Sequence, residues 1–224
     1  MFFVTFMFKG EMKMYPIFKR ILDVIVSGSA IIILSPVLIL VALAIKIDSK
    51  GPVLFKQKRV GKNKKHFMIY KFRSMYVDAP SDMPTHLLKD PNAMITKVGA
   101  LLRKTSLDEL PQLFNILKGE MAIVGPRPAL WNQYDLIEER DKYGANDIRP
   151  GLTGWAQING RDELEIDEKS KLDGYYVKNM SFGLDVKCFF GTFLSVAKSE
   201  GVVEGGTGTR SKAETNNNTE KSKI

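Results

Sequence analysis

The dominant feature of the hydropathy pattern is an uncharged run near the start of the chain. Val24 to Ile45 is 22 consecutive residues without a charged side chain. About 20 apolar residues are enough to cross a bilayer core of roughly 30 Å, so the run predicts a helix that enters a membrane. Its length, and the lack of a small-x-small cleavage site before Lys46, argue against a signal peptide.

Two arrangements of this helix are open. Ser35-Pro36 lies at the middle of the run, and a proline in a helix interior removes a hydrogen bond and costs about 3 kcal/mol. Half of the run is about 12 residues, or roughly 18 Å of helix, which reaches only the bilayer midplane. A re-entrant helix, broken at Ser35-Pro36 and returning to the same face, is therefore favoured over a kinked spanning helix. The Ser35 hydroxyl is expected to bond a carbonyl that Pro36 leaves free.

Shorter patterns along the rest of the chain predict a helix-rich α+β fold. The predicted elements are a β-hairpin around the basic turn 61–65, helices at 96–104, 109–117 and within 131–143, a strand at 121–124, a glycine-rich loop with a strand pair at 149–161, and a helix at 182–197. Gly119 is expected to end the second of these helices. The broad apolar face of the last helix suits either a core helix or an amphipathic helix lying on a membrane surface.

The same patterns suggest a division of the chain into four segments. They are an N-terminal extension (1–14), a re-entrant membrane helix-hairpin (15–50), a cytoplasmic catalytic domain (51–203) and a tail (204–224). The tail consists mainly of Gly, Thr, Ser, Asn and Lys, a composition that predicts disorder because it offers little apolar surface to bury.

Charge sharpens the picture of the membrane segment. The chain has 224 residues and a net charge of +8, but residues 1–75 carry 14 basic and 3 acidic side chains, +11, which leaves −3 for the rest. Basic residues flank both ends of the uncharged run, among them Lys19 and Arg20 before it, and the positive-inside rule draws both flanks to the cytoplasm. A membrane surface with anionic headgroups accounts for this charge, so we do not expect a nucleic-acid partner.

The sequence also limits the chemistry available. A single cysteine, Cys188, excludes an intramolecular disulfide, and two histidines are too few for a His-rich zinc or iron site. Any metal is therefore expected to be a hard cation held by oxygen ligands.

Ser106-Leu-Asp108-Glu109-Leu-Pro111 is the segment best suited to chemistry. Ser106 and Glu109 fit a capping box at a helix start, which is a structural interpretation. Pro111 weakens it, because with Asp108 as the cap the proline falls within the first helical turn and breaks no hydrogen bond. Asp108 would then lie at the positive end of a helix, and the two adjacent carboxylates could share a divalent cation.

Several basic residues are candidates for binding phosphate around this acidic pair. They are Lys71, Arg73, Arg103, Arg127, Arg149 and Arg161. Three of the arginines adjoin proline or glycine, where the backbone is rigid or closely approachable, and this suits a bidentate grip on phosphate. Any one of them read alone is a surface residue. Together with a carboxylate pair and a membrane segment, they suggest an enzyme that handles a diphosphate at a lipid surface.

A set of motifs in the chain resembles those of a known family. The motifs are Lys19-Arg20 with Asp23, Ser35-Pro36, Ile69-Tyr-Lys-Phe-Arg-Ser-Met75, Ser106-Leu-Asp-Glu-Leu110, Val124-Gly-Pro-Arg-Pro128 and Arg149-Pro-Gly-Leu-Thr-Gly-Trp-Ala-Gln-Ile-Asn-Gly-Arg161. Over about residues 15–203 they resemble the bacterial sugar transferases, and more narrowly the small monotopic phosphoglycosyl transferases that begin glycoconjugate assembly on a polyprenyl phosphate. The several spanning helices that precede the catalytic module in larger members are not part of this sequence.

The resemblance implies a specific mechanism. By resemblance, Asp108 is the nucleophile that attacks the sugar-linked phosphate of a UDP-sugar and releases UMP, and polyprenyl (undecaprenyl) phosphate then takes the phosphosugar from the carboxylate. Glu109 would help Asp108 to hold Mg²⁺. The residues implied to position phosphates are Lys71, Arg103, Arg127, Arg149 and Arg161. Asp173 and Tyr176 resemble further site elements of the family, and Lys19, Arg20, Ser35 and Pro36 belong to its membrane anchor.

The implied location is the bacterial inner membrane, with the catalytic domain facing the cytoplasm and contacting phospholipid. An oligomer is compatible with the sequence. Two other functions stay open: a membrane-bound glycosyltransferase that releases UDP, and a non-enzymatic polybasic membrane adaptor.

Overall fold

The computed structural model describes residues 2–80, 92–160 and 164–198, and their side chains except those of 2–13, 92, 193 and 195–198. The fold is the helix-rich α+β arrangement that the sequence predicts. Its helices are α1 (Phe2–Asp48), α2 (Lys97–Thr105), α3 (Gln112–Lys118), α4 (Tyr134–Asp141), α5 (Trp155–Ile158), α6 (Ile166–Asn179) and α7 (Phe182–Lys198). Its strands are β1 (Leu54–Val60), β2 (His66–Phe72), β3 (Ala122–Val124) and β4 (Gly151–Thr153).

The uncharged run forms the middle of α1, which is a single helix of 47 residues. It passes through Ser35 and Pro36, so the predicted break at this dipeptide is not confirmed. Proline leaves the carbonyl four residues earlier without its backbone donor, and here the Ser35 hydroxyl donates to that carbonyl, Ile32 O, at 2.8 Å. The predicted role of Ser35 is thus confirmed, and it explains physically how the helix continues past the proline.

Helix α1 packs on the rest of the molecule along one side. Buried or half-buried positions recur every three or four residues from Asp23 through Ser27, Leu34 and Val41 to Ile45. Two apolar clusters receive this side, one around Phe67, Ile69, Leu113, Ile116 and Met121, and one around Ile45, Phe72 and Leu102. The part of α1 from Met14 to Asp48 has the length and the apolar composition needed to cross a membrane.

The opposite side of α1 is apolar and exposed. Its exposed residues include Ile17, Phe18, Ile21, Ile25, Ile32, Ile33, Leu40, Leu43 and Ile47. An exposed apolar surface of this extent marks a site of contact with a membrane or with another protein. The exposed surface begins close to α7, because the rings of Phe18 and Phe182 meet edge to face with their centroids 6.4 Å apart.

The strands form two small sheets. β1 and β2 form the predicted hairpin, antiparallel from Leu54 opposite Phe72 to Val60 opposite His66. The turn contains Asn63 with φ 52°, a left-handed conformation that asparagine tolerates better than most residues. β3 and β4 form a parallel pair, so the predicted strand at 121–124 is confirmed. The strand pair predicted within 149–161 is wrong, because in the described part of this range β4 is followed by the helix α5.

A partly buried polar network joins residues 15–19 of α1 to α6 and α7. The Asp185 carboxylate accepts hydrogen bonds from the Tyr15 hydroxyl at 2.7 Å, the Lys19 ammonium at 2.6 Å and the Tyr176 hydroxyl at 2.6 Å. One carboxylate therefore connects three separate parts of the fold.

Asp185→Ala should destabilise the protein strongly. Both charged side chains of the Lys19–Asp185 pair are buried, with 10% and 13% of their surface exposed, and removing one partner of such a pair costs about 3 kcal/mol or more. We expect a clear fall in the thermal unfolding midpoint in detergent or nanodiscs. Asp167→Ala is the matched control, because its pair with Lys171 is 58% and 57% exposed. Equal midpoints for the two variants would contradict this prediction.

Candidate active site

The acidic segment lies between two helices. Ser106 has φ 56° and closes α2, since its backbone N–H bonds the Arg103 carbonyl at 3.1 Å. A single 3-10 turn, Leu107–Glu109, follows, and Pro111 precedes α3. The predicted helix caps are therefore wrong: the Ser106 side chain makes no cap hydrogen bond and Asp108 lies in the 3-10 turn. The left-handed conformation of Ser106 ends one helix instead of starting the next.

Asp108 and Glu109 lie at the end of the hairpin. The 3-10 turn packs against β2 and α2, and Asp108 is only 4% exposed. The Glu109 Oε1 atom accepts hydrogen bonds from Lys71 Nζ at 2.8 Å and Arg127 Nη2 at 3.0 Å. Three candidates that are distant in sequence, Lys71, Glu109 and Arg127, thus meet at one carboxylate oxygen.

The two cations control the ionisation of Glu109. Burial by itself would raise the pKa of this carboxyl, but the charges and hydrogen bonds of Lys71 and Arg127 outweigh burial and hold the pKa well below its usual range. Glu109 is therefore a carboxylate at any physiological pH. Both hydrogen bonds fall on Oε1, and no hydrogen bond to Oε2 is formed within the described ranges 2–80, 92–160 and 164–198.

Arg103 belongs to the same neighbourhood. It projects from α2, which packs against the Leu107–Glu109 turn. Its Nε donates to the Ser74 hydroxyl at 3.0 Å, and Ser74 follows β2 closely. Gly99 allows this close approach of α2, because a Cβ at that position would lie 2.0 Å from the Ser74 carbonyl oxygen. Together, Lys71, Arg103 and Arg127 supply three positive charges beside the acidic pair, which suits a polyanionic ligand.

Other predicted site residues are engaged elsewhere. Arg73 is 5% exposed and donates to Ser49 O at 2.8 Å and to Lys50 O, just beyond the end of α1. Arg149 donates through Nε to Gly119 O at 2.9 Å. Arg161 lies outside the described residues.

Asp173 and Tyr176 are also enclosed within the fold. Each is 1% exposed. Asp173 pairs with Arg140 at 2.6 Å, and Tyr176 bonds Asp185. Neither side chain presents an open surface to a substrate.

The two basic residues before the uncharged run contact protein. Lys19 is 8% exposed and pairs with Asp185. Arg20 donates to Ile116 O at 2.6 Å and Leu117 O at 2.9 Å, near the end of α3. A guanidinium at the carbonyl end of a helix is stabilised by the helix dipole. These residues therefore fix α1 to the domain.

Residues 14–199 match the family described as bacterial sugar transferase. The chain belongs to the bacterial sugar transferase family. The match includes the Asp108-Glu109 pair, Lys71, Arg103 and Arg127.

Several relatives of this sugar transferase carry names that state an activity. It is 44% identical over 182 residues to the undecaprenyl-phosphate glucose phosphotransferase of Komagataeibacter xylinus, covering 77% of this chain and 34% of that protein. It is 41% identical over 187 residues to the UDP-glucose:undecaprenyl-phosphate glucose-1-phosphate transferase of Klebsiella pneumoniae, covering 78% of this chain and 39% of that protein. The chain thus spans less than half the length of these two relatives.

A relative of similar length is also known. The uncharacterized sugar transferase EpsL of Bacillus subtilis (strain 168) is 40% identical over 186 residues, which cover 83% of this chain and 90% of EpsL.

One charged residue beside the site of this sugar transferase, Arg140, is not indicated by any sequence pattern. Arg140 lies in α4, which is 8 residues long and mostly charged, yet the Arg140 side chain is 3% exposed and bonds Arg127 O at 2.9 Å. In a helix with so many charged side chains, no apolar periodicity distinguishes the buried arginine from its exposed neighbours.

Proposed function

We propose that this protein is a phosphoglycosyl transferase that moves a sugar-1-phosphate from a UDP-sugar to polyprenyl (undecaprenyl) phosphate. The observation that carries the proposal is the Glu109 carboxylate, held by Lys71 and Arg127 next to the buried Asp108. Relatives named as undecaprenyl-phosphate sugar phosphotransferases support the reaction class. The reaction would be the first membrane step in the assembly of a polysaccharide or another glycan.

The proposed chemistry is a double displacement at Asp108. A carboxylate oxygen of Asp108 attacks the sugar-linked phosphorus, and the bond from that phosphorus to the bridging oxygen breaks, so UMP leaves with the bridging oxygen. A phosphate oxygen of the lipid then attacks the same phosphorus and frees the Asp108 carboxylate. The product is a polyprenyl diphosphate sugar. Two steps through a covalent intermediate replace one harder step.

Lys71, Arg103 and Arg127 serve this chemistry by binding phosphate oxygens. Lys71 and Arg127 already converge within 3.0 Å of Glu109 Oε1, so they are pre-oriented toward the point where a diphosphate would lie beside Asp108. Preorganised cations stabilise charge that develops in the transition state without having to reorganise during the reaction.

The released nucleotide tests the proposed function. Purified protein in nanodiscs is incubated with undecaprenyl phosphate and a panel of UDP-sugars, and the nucleotide product is separated chromatographically. We expect UMP with at least one sugar. Release of UDP would instead indicate a glycosyltransferase that leaves the phosphate on the nucleotide, and would contradict this proposal.

Mg²⁺ fits the acidic pair as a cofactor of this reaction. Mg²⁺ commonly uses one or two carboxylates together with substrate phosphates, and Asp108 and the Oε2 atom of Glu109 offer such ligands. No group of three or more His, Cys, Asp or Glu side chains that could hold a metal occurs in the described parts of the chain, so substrate phosphates are needed to complete the coordination. When bound, Mg²⁺ would neutralise charge on the diphosphate and on the leaving group.

Removal of divalent cations should stop the transfer. EDTA is expected to reduce UMP release to background, because Lys71 and Arg127 are partly neutralised by Glu109 and do not balance a diphosphate alone. Adding Mg²⁺ in excess should restore it. Transfer at an unchanged rate in EDTA would exclude the cation from the mechanism.

We further propose that residues 15–50 form a re-entrant membrane anchor whose two flanks remain on the cytoplasmic face of the bacterial inner membrane. This requires α1, although unbroken, to bend at Ser35-Pro36, and proline is a usual cause of a helix bend. Before the uncharged run, Lys19 and Arg20 bond α7 and α3. At the other end, the Asp48 carboxylate accepts from Val98 N at 3.1 Å. Because both flanks of the uncharged run contact the same domain, a path with one flank on each side of the bilayer would force polar parts of that domain into lipid.

Helix α7 extends the proposed membrane surface. Phe182, Phe190 and Leu194 are 56%, 62% and 67% exposed, and they share one side of the helix next to the exposed side of α1. An amphipathic helix of this kind inserts its apolar side between phospholipid headgroups.

Cysteine labelling in intact cells tests this topology. Cys188 is 0% exposed and is replaced by serine as a precaution. Ile17→Cys and Lys50→Cys then report on the two ends of the membrane segment. We expect a membrane-impermeant maleimide to label neither site in intact spheroplasts and both sites after lysis. Labelling of one site alone in intact spheroplasts would support a spanning helix.

A further inference from the structure

The backbone between β3 and α4 is fixed by hydrogen bonds from several parts of the fold. We call residues Gly125–Leu130 the arginine loop. Its consecutive carbonyls at Pro126, Arg127, Pro128 and Ala129 accept hydrogen bonds from Gly151 N, Arg140 Nη1, Arg59 Nη1 and Val60 N, at 2.9, 2.9, 3.0 and 3.0 Å. A backbone held at every carbonyl along this stretch has little freedom to move, so the origin of the Arg127 side chain is well defined.

One of these donors comes from a deeply buried ion pair. Arg140 and Asp173 have side chains only 3% and 2% exposed, and Asp173 Oδ2 lies 2.8 Å from Arg140 Nε and 2.6 Å from Arg140 Nη2. The remaining terminal nitrogen, Nη1, donates to Arg127 O. Since the guanidinium is planar and rigid, Asp173 sets the direction in which Nη1 points.

We propose that Arg140 is a positioning residue for the proposed transferase reaction, acting on Arg127 through the Arg127 backbone carbonyl, with Asp173 orienting it. This inference rests on the proposed function. In the proposed role, neither Arg140 nor Asp173 touches substrate. Their effect reaches the site because Arg127 spans from the held carbonyl to Glu109, where its Nη2 lies 3.0 Å from Oε1.

The contact between Arg127 and Glu109 should respond to small movements of the arginine loop. N–H···O hydrogen bonds span about 2.7–3.2 Å, and the bond from Arg127 Nη2 to Glu109 Oε1 is already 3.0 Å long, so a small displacement of the arginine loop separates Arg127 from Glu109. Misplacement of a binding group by about 1 Å can cost up to about 100-fold in rate. An ordinary buried ion pair would affect stability alone, whereas this pair should also affect the use of the UDP-sugar.

The main test replaces the pair as a unit. Arg140→Met with Asp173→Leu removes both charges and keeps similar volume, which is often tolerated by the fold. We expect kcat/KM for the UDP-sugar to fall about tenfold or more, with little change in the thermal unfolding midpoint. The matched control on α6 is Lys171→Ala with Asp167→Ala, an exposed pair, which should leave both quantities unchanged. An unchanged kcat/KM in the Arg140/Asp173 variant would overturn the proposal.

A double-mutant cycle separates positioning from general damage. If Arg140 acts through Arg127, then adding the pair replacement to Arg127→Ala should lower kcat/KM by less than about twofold further. Two independent effects would instead multiply, and that result would overturn the proposal. Arg140→Lys gives a second criterion, because lysine keeps a positive charge opposite Asp173 but has no planar guanidinium. A positioning role predicts that kcat/KM for the UDP-sugar falls in this variant. A native kcat/KM would indicate a purely ionic role and would overturn the proposal.

Amide hydrogen exchange tests the inference without turnover. In the Arg140/Asp173 variant, exchange within the arginine loop should be at least about tenfold faster than in the Lys171/Asp167 control, because local opening then requires less free energy. Equal exchange would overturn the positioning role even if no UDP-sugar is a substrate. Conversely, UDP release by the native protein would contradict the proposed function while the exchange result still decides the role of Arg140.

Discussion

Asp108→Asn is expected to reduce sugar-phosphate transfer by about 10³-fold or more. An amide cannot serve as the attacking carboxylate, and loss of a nucleophile ranks among the largest single-residue effects in enzymes. The substitution keeps the shape of a side chain that is 4% exposed, so the fold and membrane association should persist. UMP formation with undecaprenyl phosphate, measured alongside membrane flotation and the thermal unfolding midpoint, checks all of these points.

The control for Asp108→Asn is the same substitution at an exposed carboxylate. Asp167→Asn changes a side chain that is 58% exposed in its pair with Lys171, and it should transfer at the native rate. An Asp108→Asn protein that still forms UMP at the native rate would remove Asp108 from the mechanism.

Glu109→Gln is expected to reduce transfer by about 100-fold or more. Glutamine weakens the hold on Mg²⁺ and no longer balances Lys71 and Arg127, whose nitrogens lie 2.8 and 3.0 Å from Oε1. Misplacement of binding groups by about 1 Å can cost about 100-fold in rate. Initial rates at saturating UDP-sugar, with Glu139→Gln as a control on the exposed Lys142 pair, measure the effect. Equal rates for native protein and Glu109→Gln would contradict it.

The same substitution should reveal the low pKa of Glu109 through stability. In the folded protein, the pKa of the Glu109 carboxyl lies below its value of about 4.3 in the unfolded chain. A carboxylate of this kind stabilises the fold fully above about pH 5, and the stabilisation is lost as the pH falls through the folded value. We expect native protein to exceed Glu109→Gln by about 2 kcal/mol in free energy of unfolding at pH 7. The difference should shrink below pH 5, and a difference that grows in acid would refute this assignment.

Local sequence signals predicted the elements that depend on local physics. Thr96 accepts a hydrogen bond from Gly99 N at 3.0 Å and starts α2, while Gly119 with φ 88° ends α3. The hairpin also follows from its alternating residues and its basic turn. These features depend on neighbours within a few residues, so a single sequence carries the information.

Features that depend on long-range contacts were harder to predict. Helix α6 was not anticipated, because its core side buries Lys169, Ser170, Asp173, Gly174 and Tyr176 in place of an apolar stripe. Arg73 resembled a ligand for phosphate, yet it bonds the backbone at residues 49 and 50, 23 or 24 positions away in sequence. Only the tertiary fold determines which arginine meets a carbonyl and which meets Glu109.

The sequence predicted which residues belong to the site around the acidic pair, but only the fold shows how they contact one another. Asp108, Glu109, Lys71 and Arg127 were all candidates, but nothing in their spacing indicated that Lys71 and Arg127 would share one oxygen of Glu109. Residues 71 and 127 are 38 and 18 positions from it in sequence. Such convergence requires the hairpin, the 3-10 turn and the arginine loop to pack together.

A single-turnover experiment without the lipid acceptor tests the central claim most directly. The native protein is mixed with a UDP-sugar and Mg²⁺, UMP is quantified, and the tryptic peptide containing Asp108 is examined by mass spectrometry. We predict a burst of about one UMP per protein and a phosphosugar adduct on Asp108, as expected for a covalent intermediate. UMP that forms only when undecaprenyl phosphate is present, with no adduct on Asp108, would contradict the double displacement.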